Sequence, residues 1–150
     1  WFNSNNIVAR YNTIISMIGS TYNDNFGNGN NRIQGLQTGN NGGTYYNRIW
    51  TGFDSTTFIT NTISDPANAD TLVQELSDLF YCEAIDASRL AYFKKSLIHD
   101  GEVNYIWYDA WSAYTNPNDP VAAEDAAVFI KNRLDSLLTR MINAAEFQLM

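Results

Sequence analysis

Acidic side chains are the first residues of this sequence that could perform acid–base chemistry. Glu75 and Asp78 lie three residues apart on a predicted helix, and Glu83 and Asp86 flank the turn that follows it. A general acid and a general base need an enclosed site that separates their pKa values, which a solvated helix face does not offer. The spacing therefore favours solvent-exposed carboxylates over a catalytic pair.

The single histidine and the single cysteine offer little further chemistry. His99 precedes Asp100, as two members of a hydrolase triad could, but the sequence has no Gly-x-Ser-x-Gly motif to supply the nucleophile. A histidine in the last turn of a helix is explained by the partial negative charge there. Cys82 follows Phe80 and Tyr81 at the apolar end of a predicted helix, a context typical of a buried and unreactive thiol.

Oxygen-bearing side chains near the start of a long polar segment could coordinate calcium. They are Asn23, Asp24, Asn25, Asn28 and Asn30, with glycines between them that permit tight turns. Their spacing is not that of an EF-hand loop, and only Asp24 is anionic. The pattern favours a turn-rich loop, with a weak calcium site as the alternative and no other cofactor indicated.

Aromatic side chains are the remaining candidates for binding. Five of them could stack on sugar rings or contact a partner protein if they are exposed: Trp50, Tyr105, Trp107, Tyr108 and Trp111. The helical spacing of Trp107 and Trp111 favours packing in a core, where large aromatic side chains are common. Exposure of these residues decides between the two interpretations.

The composition indicates one folded domain and excludes some partner classes. The chain has 150 residues, of which 45% are hydrophobic and 14% aromatic, which argues against disorder. Its 9 basic residues are scattered and are outnumbered by 16 acidic ones, giving a net charge of -7. Nucleic acid and anionic membrane surfaces are therefore disfavoured partners. No apolar run reaches the roughly 20 residues of a membrane span, so membrane insertion is not expected.

Hydrophobic periodicity and caps predict a mainly α fold, an irregular array of about five helices. A long Asn/Gly-rich loop separates the first helix from the second, and the chain is predicted to form a single helical domain. We expect a first-helix region at 1–19, a loop-rich segment at 20–64 and a helical array at 65–150. The predicted helices are 5–18, 70–81, 87–99, 103–114 and, with Asp119 as cap and Pro120 in the first turn, 119–144.

Three segments together resemble a widespread, mainly bacterial family known as domain of unknown function 1800. Its Trp and small polar cluster before a helix with an Arg-x-Asn motif is matched by Trp1, Asn3, Ser4, Arg10 and Asn12. The stretch DTLVQELSDLFYCEAIDASRLAYFKKSLIHDG is similar to its later helical hairpin.

The chain's ending is similar to the family's closing segment. Glu146, Phe147 and Gln148 match, whereas Ala144 and Ala145 stand where the family usually has Ser and Pro. The resemblance implies the C-terminal portion of a longer, often exported protein, and hence an extracytoplasmic location. The family's function is not established, and the resemblance transfers no catalytic residues.

These observations lead to three hypotheses about function. The first is a non-catalytic scaffold or protein-interaction domain of an exported protein, which contacts the remainder of its own longer chain or a partner protein. The second is one wall of an extracytoplasmic hydrolase active site. The third is a carbohydrate-binding module with polysaccharide as ligand. The first hypothesis is favoured because the sequence contains many aromatic residues but no motif for catalysis.

Overall fold

A computed structural model describes residues 8–9, 33–38, 47–51, 53–116 and 118–148. The chain divides into two compact units, Trp1–Asp54 and Ser55–Met150. In the first unit, Val8 and Ala9 are helical, and the rest of the helix predicted over residues 5–18 lies outside the described residues.

The described residues of the first unit include two strands, β1 (Ile33–Thr38) and β2 (Asn47–Thr51), which pair antiparallel. Ile33 pairs with Thr51 and Thr38 with Asn47, and the register is irregular between Gln34 and Gln37. The Asn/Gly-rich composition predicted a loop over these residues. The strands were missed because strand pairing is a contact between separate segments, and the sequence of β1, IQGLQT, shows no alternation of apolar and polar residues.

The second unit is helical, so the mainly α fold class is confirmed. Six helices follow one another among its described residues. They are α1 (Ser55–Thr62), α2 (Ala69–Phe80), α3 (Ala87–Lys94), α4 (Ile106–Tyr114), α5 (Pro120–Ile142) and α6 (Ala145–Gln148).

Helix α5 is the central element of this unit. It packs against α1, α2, α3, α4 and α6. One of its faces is buried, and the residues on that face are Ala126, Ile130, Leu134, Leu137, Leu138 and Met141. Asp119 caps its first turn by accepting a hydrogen bond from the Ala122 N–H at 3.0 Å, and Pro120 follows the cap, as predicted. A helix of 23 residues with one apolar face thus organises the shorter helices around it.

Helix α1 was missed within the segment predicted to be loop-rich. Its sequence, STTFITNT, is dominated by β-branched and small polar residues with modest helix propensity. Burial stabilises it instead, because Ser55 and Ile59 are fully buried and the helix packs on α5. The Ser55 hydroxyl also donates a hydrogen bond to Asp135 Oδ1 at 2.6 Å. These tertiary contacts outweigh the weak local preference.

Helices α3 and α4 are both shorter than predicted. Helix α3 ends at Lys94 rather than near residue 99, but Leu97 and Ile98 are buried in the turns that follow it. Helix α4 begins at Ile106 rather than near residue 103. Gly101, between them, has a φ of 88°, a left-handed conformation that glycine adopts without a steric penalty. The connection from α3 to α4 is therefore a packed sequence of turns.

Candidate functional site

Trp107 and Trp111 lie in the core, so their ring faces are closed to a ligand. Trp107 is fully buried, and its indole N–H donates a hydrogen bond to the carbonyl of Pro66 at 2.8 Å. Trp111 is 6% exposed, and the two ring centroids are 5.7 Å apart. These two residues therefore cannot stack on a sugar ring, because their helical spacing places both side chains inside the unit.

Tyr105 and Tyr108 are exposed, unlike the two tryptophans. Tyr105 is 62% exposed and Tyr108 is 57% exposed, and both lie at the start of α4. Trp50 belongs to β2 in the first unit, and its side chain lies outside the described residues. The calcium candidates Asn23, Asp24, Asn25 and Asn28 also lie outside them, so the calcium hypothesis stays a prediction.

A groove of about 320 Å³ runs between the start of α2, the end of α3 and the start of α4. Three separate segments of the chain form it. Its polar and aromatic lining consists of Asp65, Asn68, Asp70, Lys94, Asn104 and Tyr108, and Ala67, Ala69 and Ile98 complete it. Of the aromatic candidates, Tyr108 is the one that lines this groove. The groove is thus a concave surface formed by residues that the structure describes.

Local hydrogen bonds fix the acidic wall of the groove. Asn68 caps α2, and its Oδ1 accepts hydrogen bonds from the N–H groups of Asp70 at 3.0 Å and Thr71 at 3.3 Å. The Lys94 ammonium donates to both carboxylate oxygens of Asp70 at 2.7 Å. The cap thereby fixes the backbone of this wall, and Lys94 balances the charge of Asp70.

Two of the four carboxylates that the sequence suggested as acid–base candidates, Glu75 and Asp86, have structural roles. Glu75 accepts hydrogen bonds from the Ser64 hydroxyl and N–H, and these bonds lower the pKa of Glu75 below its usual 4.5. The hydroxyl of Ser88 and the N–H of Arg89 likewise lower the pKa of Asp86, which caps α3. Both groups are held as carboxylates, whereas a general acid at neutral pH needs a raised pKa.

His99 and Asp100 do not form part of a triad. Asp100 pairs with Lys95 at 3.0 Å, and His99 Nδ1 lies 3.9 Å from Glu102 Oε1. Within residues 53–116 and 118–148 and the shorter described stretches, no three His, Cys, Asp or Glu side chains are grouped as a metal ion requires. Cys82 is exposed, contrary to the buried thiol expected from its apolar neighbours, because it follows the end of α2.

Glu102 connects the turns between α3 and α4 to the central helix. Arg133 on α5 donates to Glu102 Oε1 at 2.7 Å and to Oε2 at 3.1 Å, forming a bidentate pair. The N–H of His99 donates to the same carboxylate at 2.7 Å. Arg133 also lies over the ring of Phe129, with 4.7 Å from its Cζ to the ring centroid. The Arg133 hydrogen bond is the main cause of the lowered pKa of Glu102, followed by the His99 N–H.

We expect this pair to make stability depend on pH. Because the pKa of Glu102 is lower in the folded state than in the unfolded chain, its contribution is complete above the usual value of 4.5 and is lost as pH falls below it. The free energy of unfolding, measured in urea from pH 7 to pH 3, should therefore fall more for the native protein than for Glu102→Gln. A difference between the two proteins that stays constant over this range would contradict the expectation.

The outer face of α5 is an exposed surface separate from the groove. We use this term for Val121, Glu124, Asp125 and Val128, which are all exposed and lie on one side of the helix. Val121 is 71% exposed and Val128 is 62% exposed. The surrounding sequence, residues 103–130, contains four acidic residues and no Lys, Arg or His. This face therefore combines apolar side chains with acidic ones.

Comparison with known proteins gives no relative from which to infer a function. No protein-family model, curated protein or solved structure matches this chain. The resemblance to domain of unknown function 1800 accordingly stays a prediction. Among the helices that the structure describes, none is both long enough and apolar enough to cross a membrane.

Neither the groove nor the outer face of α5 was predicted from the sequence. The groove draws residues from 65–70, 94–98 and 104–108, so no local motif marks it. A signal for the outer face did exist, because residues 103–130 contain acidic and apolar residues without a single basic one.

Proposed function

We propose that this protein is a non-catalytic protein-interaction domain that binds a basic, amphipathic segment of a partner protein. The observation that supports this proposal best is the outer face of α5, where two valines are more than 60% exposed beside Glu124 and Asp125. Isolated exposed apolar residues are ordinary, but two that are seven residues apart on one helix lie two turns apart on the same side. Together they can contact one partner helix.

The charge of this region indicates the chemistry of the partner. Residues 103–130 contain Asp109, Asp119, Glu124 and Asp125 and no cation. A second copy of the same face would place like charges opposite one another, which is unfavourable. A partner with lysines or arginines flanking an apolar stripe would satisfy both the carboxylates and the valines. Apolar side chains on one face of a partner helix are a common mode of such recognition.

An exported location is part of the same proposal. Its support is the resemblance of the chain's three segments to domain of unknown function 1800, many members of which have export features. A hydrolase wall is not proposed. The feature that would favour it is a deep pocket that joins acidic side chains to Trp107 or Trp111, and neither residue is among those that line the described groove.

The proposal can be tested with a synthetic helical peptide that has leucines on one face and lysines on the other. A control peptide keeps the lysines and replaces the leucines with serine. We expect Val121→Ser/Val128→Ser to weaken binding of the leucine peptide about tenfold, the loss of about 1.4 kcal/mol, in isothermal titration calorimetry. The matched variant Leu79→Ser, which changes a 54% exposed residue of α2, should leave the affinity unchanged.

Two results would count against the proposal. Equal affinity for the leucine and serine peptides would show that only net charge is recognised. An unchanged affinity in Val121→Ser/Val128→Ser would show that the apolar contact lies elsewhere. Circular dichroism of each variant confirms that the helices are intact, as expected because both valines are exposed.

A further inference from the structure

The groove between α2, α3 and α4 has a lining that the proposed protein interaction does not explain. Tyr108 and Asn104, both exposed, lie on one side of it, and Asp65, Asn68 and Asp70 lie on another. An aromatic ring, amides and carboxylates therefore face a common space. This is a different surface from the outer face of α5, since no residue belongs to both.

The charges in the groove disfavour an anionic ligand. Lys94 is held by both oxygens of Asp70 at 2.7 Å, so these two charges offset one another. The carboxylate of Asp65 then gives the groove a net negative charge, which disfavours binding of an anion. Among the described residues, no three metal-ligating side chains are grouped together, so the groove contains no such site for a metal ion. The charge balance thus disfavours an anion, and the choice among the remaining ligands rests on the hydrogen-bonding groups and the aromatic ring of the lining.

The chemical groups present suit a ligand rich in hydroxyl groups. A carboxylate accepts hydrogen bonds from hydroxyls, an ammonium donates them, and an amide such as that of Asn104 does both. The exposed ring of Tyr108 offers an apolar face beside these polar groups. A sugar ring has the same two-sided character, with C–H groups on its faces and hydroxyls at its edge. We propose that this groove binds one or two residues of a neutral polysaccharide.

The size of the groove agrees with that class of ligand. Its volume of about 320 Å³ lies at the small end of the roughly 300–1,000 Å³ that ligand pockets span. A short stretch of a glycan chain can occupy it while the rest of the chain extends into solvent. The polar lining is set in place before binding, because the Asn68 cap and the Lys94–Asp70 pair hold one wall.

The test uses the whole chain and a panel of neutral tetrasaccharides, with β-1,4-linked glucose, N-acetylglucosamine, mannose and xylose as probes. Saturation-transfer NMR identifies a probe that binds, and titration calorimetry measures its affinity. We expect Tyr108→Ala to weaken binding about tenfold and Tyr108→Phe to retain it, because the ring and not the hydroxyl makes the stacking contact. Asn104→Ala should weaken binding more moderately.

A matched control comes from the same helix end. Tyr105→Ala removes a tyrosine that is 62% exposed and does not line the groove, so it should leave the affinity unchanged. The proposal is overturned if no probe binds at millimolar concentration, if Tyr108→Ala binds as well as the native protein, or if an oligogalacturonate binds more tightly than every neutral probe. None of these outcomes bears on the peptide experiment, which depends on Val121 and Val128.

Discussion

Replacing Trp107 with alanine is expected to lower the free energy of unfolding by about 3–5 kcal/mol, the range for deleting a large buried aromatic side chain. The residue is fully buried, its ring contacts Trp111, and its N–H donates a hydrogen bond to the Pro66 carbonyl. The loss of stability therefore has two causes: the substitution leaves a cavity, and the Pro66 carbonyl loses its hydrogen-bond donor. Urea unfolding followed by circular dichroism measures the change.

Trp107→Phe separates these two causes and protects the test against a variant that fails to fold. It keeps most of the ring volume but removes the indole donor, so a smaller loss of about 1–3 kcal/mol is expected. Tyr105→Ala, at an exposed position two residues earlier, should change stability by less than about 0.5 kcal/mol. A Trp107→Ala variant as stable as Tyr105→Ala would contradict the placement of Trp107 in the core.

Leu137→Ala is expected to lower the free energy of unfolding by about 2–5 kcal/mol, because a buried leucine leaves a cavity when it is shortened. Leu137 is fully buried on the inner face of α5, the helix against which the other five pack. Val128→Ala, on the opposite side of the same helix, serves as the matched control because Val128 is 62% exposed. Its effect should be within about 0.5 kcal/mol.

The difference between these two variants tests the orientation of α5. If Val128→Ala destabilised the protein as much as Leu137→Ala, the outer face would be a buried surface and the peptide-binding proposal would lose its basis. Chemical denaturation of both variants at the same pH provides this comparison.

Local signals explain which parts of the helical unit could be predicted. Asp119 was identified as a cap because a cap depends on only a few neighbouring residues, and its side chain accepts the expected backbone hydrogen bond. The inner face of α5 follows from its 3.6-residue periodicity. Trp107 was favoured as a core residue for the same reason, and it is fully buried.

Contacts between distant segments explain what could not be predicted. Helix α1 has weak propensity and is stabilised by burial and by the bond from Ser55 to Asp135, 80 residues away. Leu79 is apolar but 54% exposed, because it lies about 90° around α2 from the centre of the buried stripe, and its position relative to the other helices decides its burial. The groove depends on how three segments meet, and periodicity within any one of them gives no information about that.

Recognition of a basic amphipathic segment by the outer face of α5 can be tested directly in solution. Titration of ¹⁵N-labelled protein with the leucine–lysine peptide, followed by amide chemical shifts, tests it residue by residue. We expect the largest shifts at Val121, Glu124, Asp125 and Val128, and we expect them to be lost in Val121→Ser/Val128→Ser. Shifts spread evenly over all acidic residues, or concentrated away from α5, would contradict it.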